Sequence, residues 1–89
     1  MKNIPEFSSR KKYNNIYKKS LYLINDRYNT FDYVIDCLVA MCDHNEMQAE
    51  QCALLTHYKG SCEIAVGNEI DLLLLKEDLV LYGLNVEIR

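Results

Sequence analysis

Asn25, Asp26 and His57 are the residues of this 89-residue chain whose types and placing suit a defined chemistry. The run Leu21-Tyr22-Leu23-Ile24-Asn25-Asp26 brings an amide and a carboxylate from an apolar strand to the mouth of an amphipathic helix. His57 stands in Leu54-Leu55-Thr56-His57-Tyr58-Lys59-Gly60, just before a glycine that can end a helix. An amide oxygen, a carboxylate and a neutral imidazole are all acceptors. Set beside an apolar cavity, they would hold a bound ammonium, which is the chemistry needed to capture the free N-terminus of a peptide. Taken singly, each residue has a plainer explanation. Asn and Asp are ordinary turn residues at a strand end, and a histidine near a helix C-terminus is often a cap or a solvated side chain.

These residues need elements to position them. Leu21 and Leu23 alternate with Tyr22 and Ile24, which predicts a first strand over Tyr17 to Ile24, stopped by Asn25-Asp26. Asn29 or Thr30 caps the next helix, and Phe31, Val34, Ile35, Leu38, Met41 and Cys42 recur along it at i, i+3, i+4 spacing. Asn45 with Gln48 has the form of a capping box. It opens a second helix carrying Met47, Cys52 and Leu55 to about Tyr58, with Gly60 as its left-handed stop. Cys62, Ile64 and Val66 then alternate with Ser61, Glu63 and Ala65 as a half-buried strand that turns out at Gly67-Asn68. Asn68 caps a leucine-dense third helix that ends at Gly83 and leaves some apolar surface uncovered. Leu84, Val86 and Ile88 form the last strand. The order β-α-α-β-α-β predicts an α+β fold: a small two-layer domain, with a three-stranded antiparallel sheet and helices on one of its faces.

Size and charge narrow the classes of function. Eighty-nine residues, 49% of them hydrophobic, make one modest core. Residues 1–20 hold six Lys/Arg against Glu6, for +5, while residues 21–89 hold four against twelve acids, for −8. The polar, non-periodic residues 1–16 are expected to be a flexible N-terminal extension, with residues 17–89 as the folded core domain. In the body only Arg27, Lys59, Lys76 and Arg89 are basic, which argues against a nucleic-acid face. The start lacks an apolar secretory segment and no run approaches a membrane span, so no membrane partner is expected and the cytoplasm is the expected location. Cys37, Cys42, Cys52 and Cys62 contain no C-x-x-C pair, and three of them fall in apolar stripes, as reduced core thiols do. The alternative is a metal site built from Cys37, Cys42, His44 and one further ligand. No cofactor is implied.

The run Asn25-Asp26-x-Tyr28-Asn29-Thr30-Phe31-Asp32-Tyr33-Val34-Ile35-Asp36, followed by Ala49-x-Gln51 and His57-Tyr58-x-Gly60, resembles ClpS, the family of N-degron adaptors of bacterial Clp proteases. The spacing from Asn25 to Gly60 fits that family without a gap. The resemblance implies a non-enzymatic adaptor. Its Asn25 and His57, with Asp26 at the rim, would hold the α-ammonium of a protein that begins with Phe, Tyr, Trp or Leu. It also implies a hydrophobic pocket at Phe31, Val34, Ala53, Thr56 and Leu84 and delivery to a ClpA- or ClpC-type AAA+ unfoldase that engages the N-terminal extension; a single ligand pocket per chain needs only a monomer. Many members carry a second acid where this chain has Arg27, and methionines are common at the positions of Phe31 and Ala53. A small Ala53 would deepen the hole and a rigid Phe31 would narrow its rim.

The fold does not choose a function by itself, since the C-terminal domain of the ribosomal stalk protein has the same type of fold. One rival is therefore a stalk-like interaction module that uses its third helix. Another is a degenerate homologue that docks on a partner without reading N-termini. Hydrolysis by Asp26, His57 and a serine such as Ser61 lacks both a nucleophile motif and a glycine loop for an oxyanion.

Overall fold

β1 (Lys19–Ile24) is the middle strand of the sheet, and alternation along it leaves Leu21 and Leu23 covered on one face. The computed structural model describes residues 18–89, so the extension expected over residues 1–16 and the Tyr17 start of the strand lie outside the described residues. After β1 come α1 (Phe31–Met41), α2 (Glu46–Lys59), β2 (Ser61–Gly67), α3 (Glu69–Leu81) and β3 (Val86–Ile88). The sheet order is β2-β1-β3, and both pairings are antiparallel. The fold is the expected α+β arrangement of three strands and three helices.

Each helix begins where the sequence places an acceptor. Thr30 Oγ1 accepts from the Tyr33 amide at 3.1 Å to open α1. Asn45 and Gln48 exchange side-chain to backbone bonds of 2.8 and 3.0 Å in a complete capping box for α2, and Asn68 accepts from the Asp71 amide to open α3. Such caps satisfy amides that have no partner within the helix and contribute about 1 kcal/mol each.

One face of the sheet carries the core. Leu21, Leu23, Ile64 and Val86 meet Leu38 of α1, Ala49 and Cys52 of α2, and Leu72 and Leu79 of α3. The other face carries polar contacts: Glu87 pairs with Arg89 at 3.0 Å, and the Arg89 guanidinium lies 4.5 Å from the centre of the Tyr22 ring.

Two side-chain assignments differ from the sequence reading. On α2 the covered stripe is Ala49, Cys52, Ala53 and Thr56, whereas Met47 is 68% and Leu55 45% exposed. Small residues at i, i+3, i+4, i+7 let the helix backbone approach its neighbours closely, and the bulky residues fall on the outer side. On β2 the expected inward Val66 is 48% exposed. The register runs Tyr22↔Glu63 and then Leu21↔Ala65, so Ile64 is an extra, bulged residue. A bulge shifts the alternation by one, which sends Ile64 and Ala65 both toward the core and Val66 out.

Thiols and His44 complete the interior. Cys37 and Cys52 are buried, and all four cysteines are free. Burial first, and then the neighbouring Cys37, pushes the Cys42 thiol up to about 11, and burial followed by Cys62 raises that of Cys52. Both thiols are therefore protonated and unreactive at neutral pH. His44 Nε2 donates to the carbonyl of the bulged Ile64 at 3.0 Å, and its Nδ1 is buried with no hydrogen-bond partner among the described residues. Among the described residues no three His, Cys, Asp or Glu side chains gather as a metal site would require.

Gly60, at φ +95°, ends α2 in the left-handed region, where a Cβ would meet no atom but would strain the backbone. Gly67 has no such φ, and a Cβ there would make only ordinary contact with Leu72. Gly60→Ala is expected to destabilise the protein by about 1 kcal/mol or more, while Gly67→Ala leaves it unchanged or gains less than about 1 kcal/mol. Urea denaturation of the two variants checks this.

Candidate functional site

Strand pairing and a helix cap bring the three acceptors together. β1 pairs with β2 as far as Ile24↔Ser61. One residue on, the Asn25 amide donates to the Gly60 carbonyl at 3.0 Å, and the Gly60 amide closes α2 by donating to the Thr56 carbonyl at 2.9 Å. His57 lies one turn back from Gly60, so the end of β1 and the last turn of α2 present Asn25 and His57 to the same opening. The opening leads to a cavity of about 500 Å³, within the roughly 300–1,000 Å³ range of small-ligand sites.

The cavity is lined from four directions. Leu23 and Ile24 come from β1, and Asn25, Asp26, Arg27 and Asn29 come from the loop that follows it. Phe31 and Val34 come from one face of α1, and Ala53, Thr56 and His57 from one face of α2. Of the sequence-expected pocket residues, Phe31, Val34, Ala53 and Thr56 all border it. Leu84 does not: it is buried in the core beside Leu79 and Val86, outside the lining. Ala53 is 4% exposed and Phe31 40% exposed, which puts a small side chain at the covered end of the hole and an aromatic ring where it opens. The Thr56 hydroxyl donates to the Cys52 carbonyl at 2.8 Å, so its proton is spent within the helix.

The polar groups divide into organisers and open acceptors. Asp26 is an organiser. One carboxylate oxygen accepts from the amides of Tyr28 and Asn29, each at 2.9 Å, and the other accepts from Asn29 Nδ2 at 2.8 Å. Desolvation pulls its pKa up, but the bonds from the Asn29 amide, the Asn29 side chain and the Tyr28 amide outweigh it and hold the carboxyl below its ordinary value. Asn29 Nδ2 also donates to the Gly83 carbonyl at 3.0 Å, which ties this loop to the turn after α3. The side chains of Asn25 and His57 are exposed and make no hydrogen bond among the described residues. The His57 ring stands edge-on to Tyr58, with centroids 5.1 Å apart. An ammonium at the mouth would find unused acceptors there, beside the ionised Asp26.

The sequence reading placed neither Leu23, Ile24 nor Asn29 at the cavity. The two apolar residues are the end of a strand whose inner face meets the core. Asn29 had a readable signal, since it lies three residues after an Asp in a turn, the spacing of a side-chain to backbone loop.

The family model of the ATP-dependent Clp protease adaptor protein ClpS matches residues 15–85. The fold is similar to that of Agrobacterium tumefaciens ClpS2, solved bound to L-phenylalaninamide. The identity is 18%, the match covers 81% of this chain and 94% of that one, and the TM-score is 0.78. No curated protein matches the sequence significantly.

The depressed pKa of Asp26 has a stability consequence. Its folded value lies below the unfolded one, so its contribution is fully present above the unfolded value near 3.8 and is lost as pH falls through the folded value. Asp26→Asn is therefore expected to be less stable than the parent at neutral pH, with the gap closing as pH falls below about 4. Denaturation curves across that range test it.

Proposed function

The chain belongs to the ClpS family of adaptor proteins of the ATP-dependent Clp protease, and from that premise we propose that it binds the free N-terminus of proteins beginning with Phe, Tyr, Trp or Leu and delivers them to a ClpA- or ClpC-type AAA+ unfoldase. The observation that carries the reading is the pairing of two unused acceptors, Asn25 and His57, with an apolar cavity directly beneath them. The α-ammonium donates to Asn25 and His57 and lies in the field of Asp26. The first side chain enters between Phe31, Val34, Ala53 and Thr56. Burying a phenylalanine side chain contributes about 1.5–3 kcal/mol, and each hydrogen bond from the charged amine a similar amount.

Selectivity follows from the same walls. Ala53 leaves depth and Phe31 sets a rigid rim, so flat aromatic first residues are held at least as well as leucine. Val and Ile bind poorly, because branching at Cβ widens the side chain where the opening is narrowest. A ring nitrogen of His57 that carries no proton accepts from the amine. The adaptor itself performs no chemistry on the peptide. It acts as a monomer, needs no cofactor and works in the cytoplasm, with the N-terminal extension as the segment the unfoldase engages.

A second reading has one observation in its favour: Ile70, Leu73, Leu74 and Leu81 of α3 are exposed, as an interaction module of stalk-like fold would require. Fluorescence anisotropy with labelled peptides separates the two. Free Phe peptides bind, Leu peptides bind no tighter, Val peptides bind weakly, and N-terminal acetylation costs about 5- to 150-fold by removing the charge and leaving acceptors unpaired. His57→Ala weakens binding by removing one of the two acceptors for the amine. Indifference to acetylation would move the function to the α3 surface.

A further inference from the structure

Resting on the N-terminus reading above, we infer that Arg27 makes the second residue of the bound chain a further determinant of selection, favouring Asp or Glu there. Arg27 belongs to the cavity wall, in the loop between Asp26 and Asn29, and its side chain is exposed. It makes no ion pair among the described residues. The one carboxylate in the wall, Asp26, is already committed to Tyr28 and Asn29.

Charge balance supplies the argument. In the free protein the wall carries one carboxylate, Asp26, and one guanidinium, Arg27. An entering α-ammonium answers Asp26 and leaves the guanidinium as an excess positive charge at the mouth. A carboxylate on the ligand restores the balance. Successive side chains of an extended peptide point to opposite sides and advance about 3.3 Å per residue. With the first side chain in the cavity, the second is directed outward, at the level of the rim where Arg27 stands. The guanidinium is suited to carboxylates through its paired, fixed donors.

The rim is solvated, so the effect is modest: an exposed pair of this kind changes affinity about two- to five-fold. The test uses labelled peptides that begin Phe-Glu, Phe-Gln and Phe-Lys and are otherwise identical, measured against the full chain and against Arg27→Gln and Arg27→Asp. The expected order is Glu tighter than Gln and Gln tighter than Lys for the parent, a collapsed order in Arg27→Gln and a reversed one in Arg27→Asp. In the parent the Glu preference shrinks as salt rises from low to high. Equal binding of the three peptides, or an order that persists in Arg27→Gln, overturns this inference while leaving the N-terminus reading intact. Absence of binding by all three, including the uncharged Phe-Gln peptide, overturns both.

Discussion

The hydrogen bond from the Asn25 amide to the Gly60 carbonyl is the contact on which the candidate site depends. It joins the end of the central strand to the residue that terminates α2. Gly60 can occupy that place because a left-handed backbone costs it little. The same turn sends the chain straight into β2, whose first residue pairs with Ile24. Two elements far apart in sequence are thus forced to end side by side, and what they bring to the opening, Asn25 and His57, is a consequence of that junction. Together with the β1–β2 pairing that runs up to it, this bond sets the two acceptors beside one opening.

The cavity beneath them exists because α2 turns small side chains inward. Ala49, Cys52, Ala53 and Thr56 form its covered stripe, while the larger Met47 and Leu55 are turned out. Protein interiors pack closely, so an apolar hollow persists only where the surrounding frame holds its walls apart. Here the frame is β1 on one side, α1 on another, and a loop stiffened by the three donors that converge on the Asp26 carboxylate. Asn29 extends that stiffening to Gly83, and the Tyr33 hydroxyl donates to the Tyr82 carbonyl. The start of α1 and the end of α3 are tied at two places as a result. Asp26 thereby has two effects: it organises the rim through hydrogen bonds and places a negative charge near the mouth.

The interior chemistry is quiet by comparison. The raised thiols of Cys42 and Cys52 remain protonated within the core, and His44 serves the β2 bulge through the Ile64 carbonyl. Histidine and cysteine thus act as packing and backbone-satisfying groups inside the domain. The histidine whose ring nitrogens make no hydrogen bond among the described residues, His57, is at the cavity mouth.

By itself the sequence determined the helices, their caps and the strand order's raw material. Thr30, Asn45 with Gln48, Asn68 and Gly60 act within a few residues of themselves, and short-range hydrogen bonding and backbone preference are legible locally. It also marked Asn25, Asp26, Phe31, Val34, Ala53, Thr56 and His57, through helical spacing and family resemblance, as residues that could share a site. Only the tertiary structure decided that the sheet runs β2-β1-β3, that a bulge at Ile64 turns Val66 outward, and that Leu84 fills the core while Leu23, Ile24 and Asn29 border the cavity. Those outcomes depend on contacts between distant segments. Register, bulges and the space left between packed elements are properties of pairs of surfaces, and a single strand of sequence carries only one half of each pair.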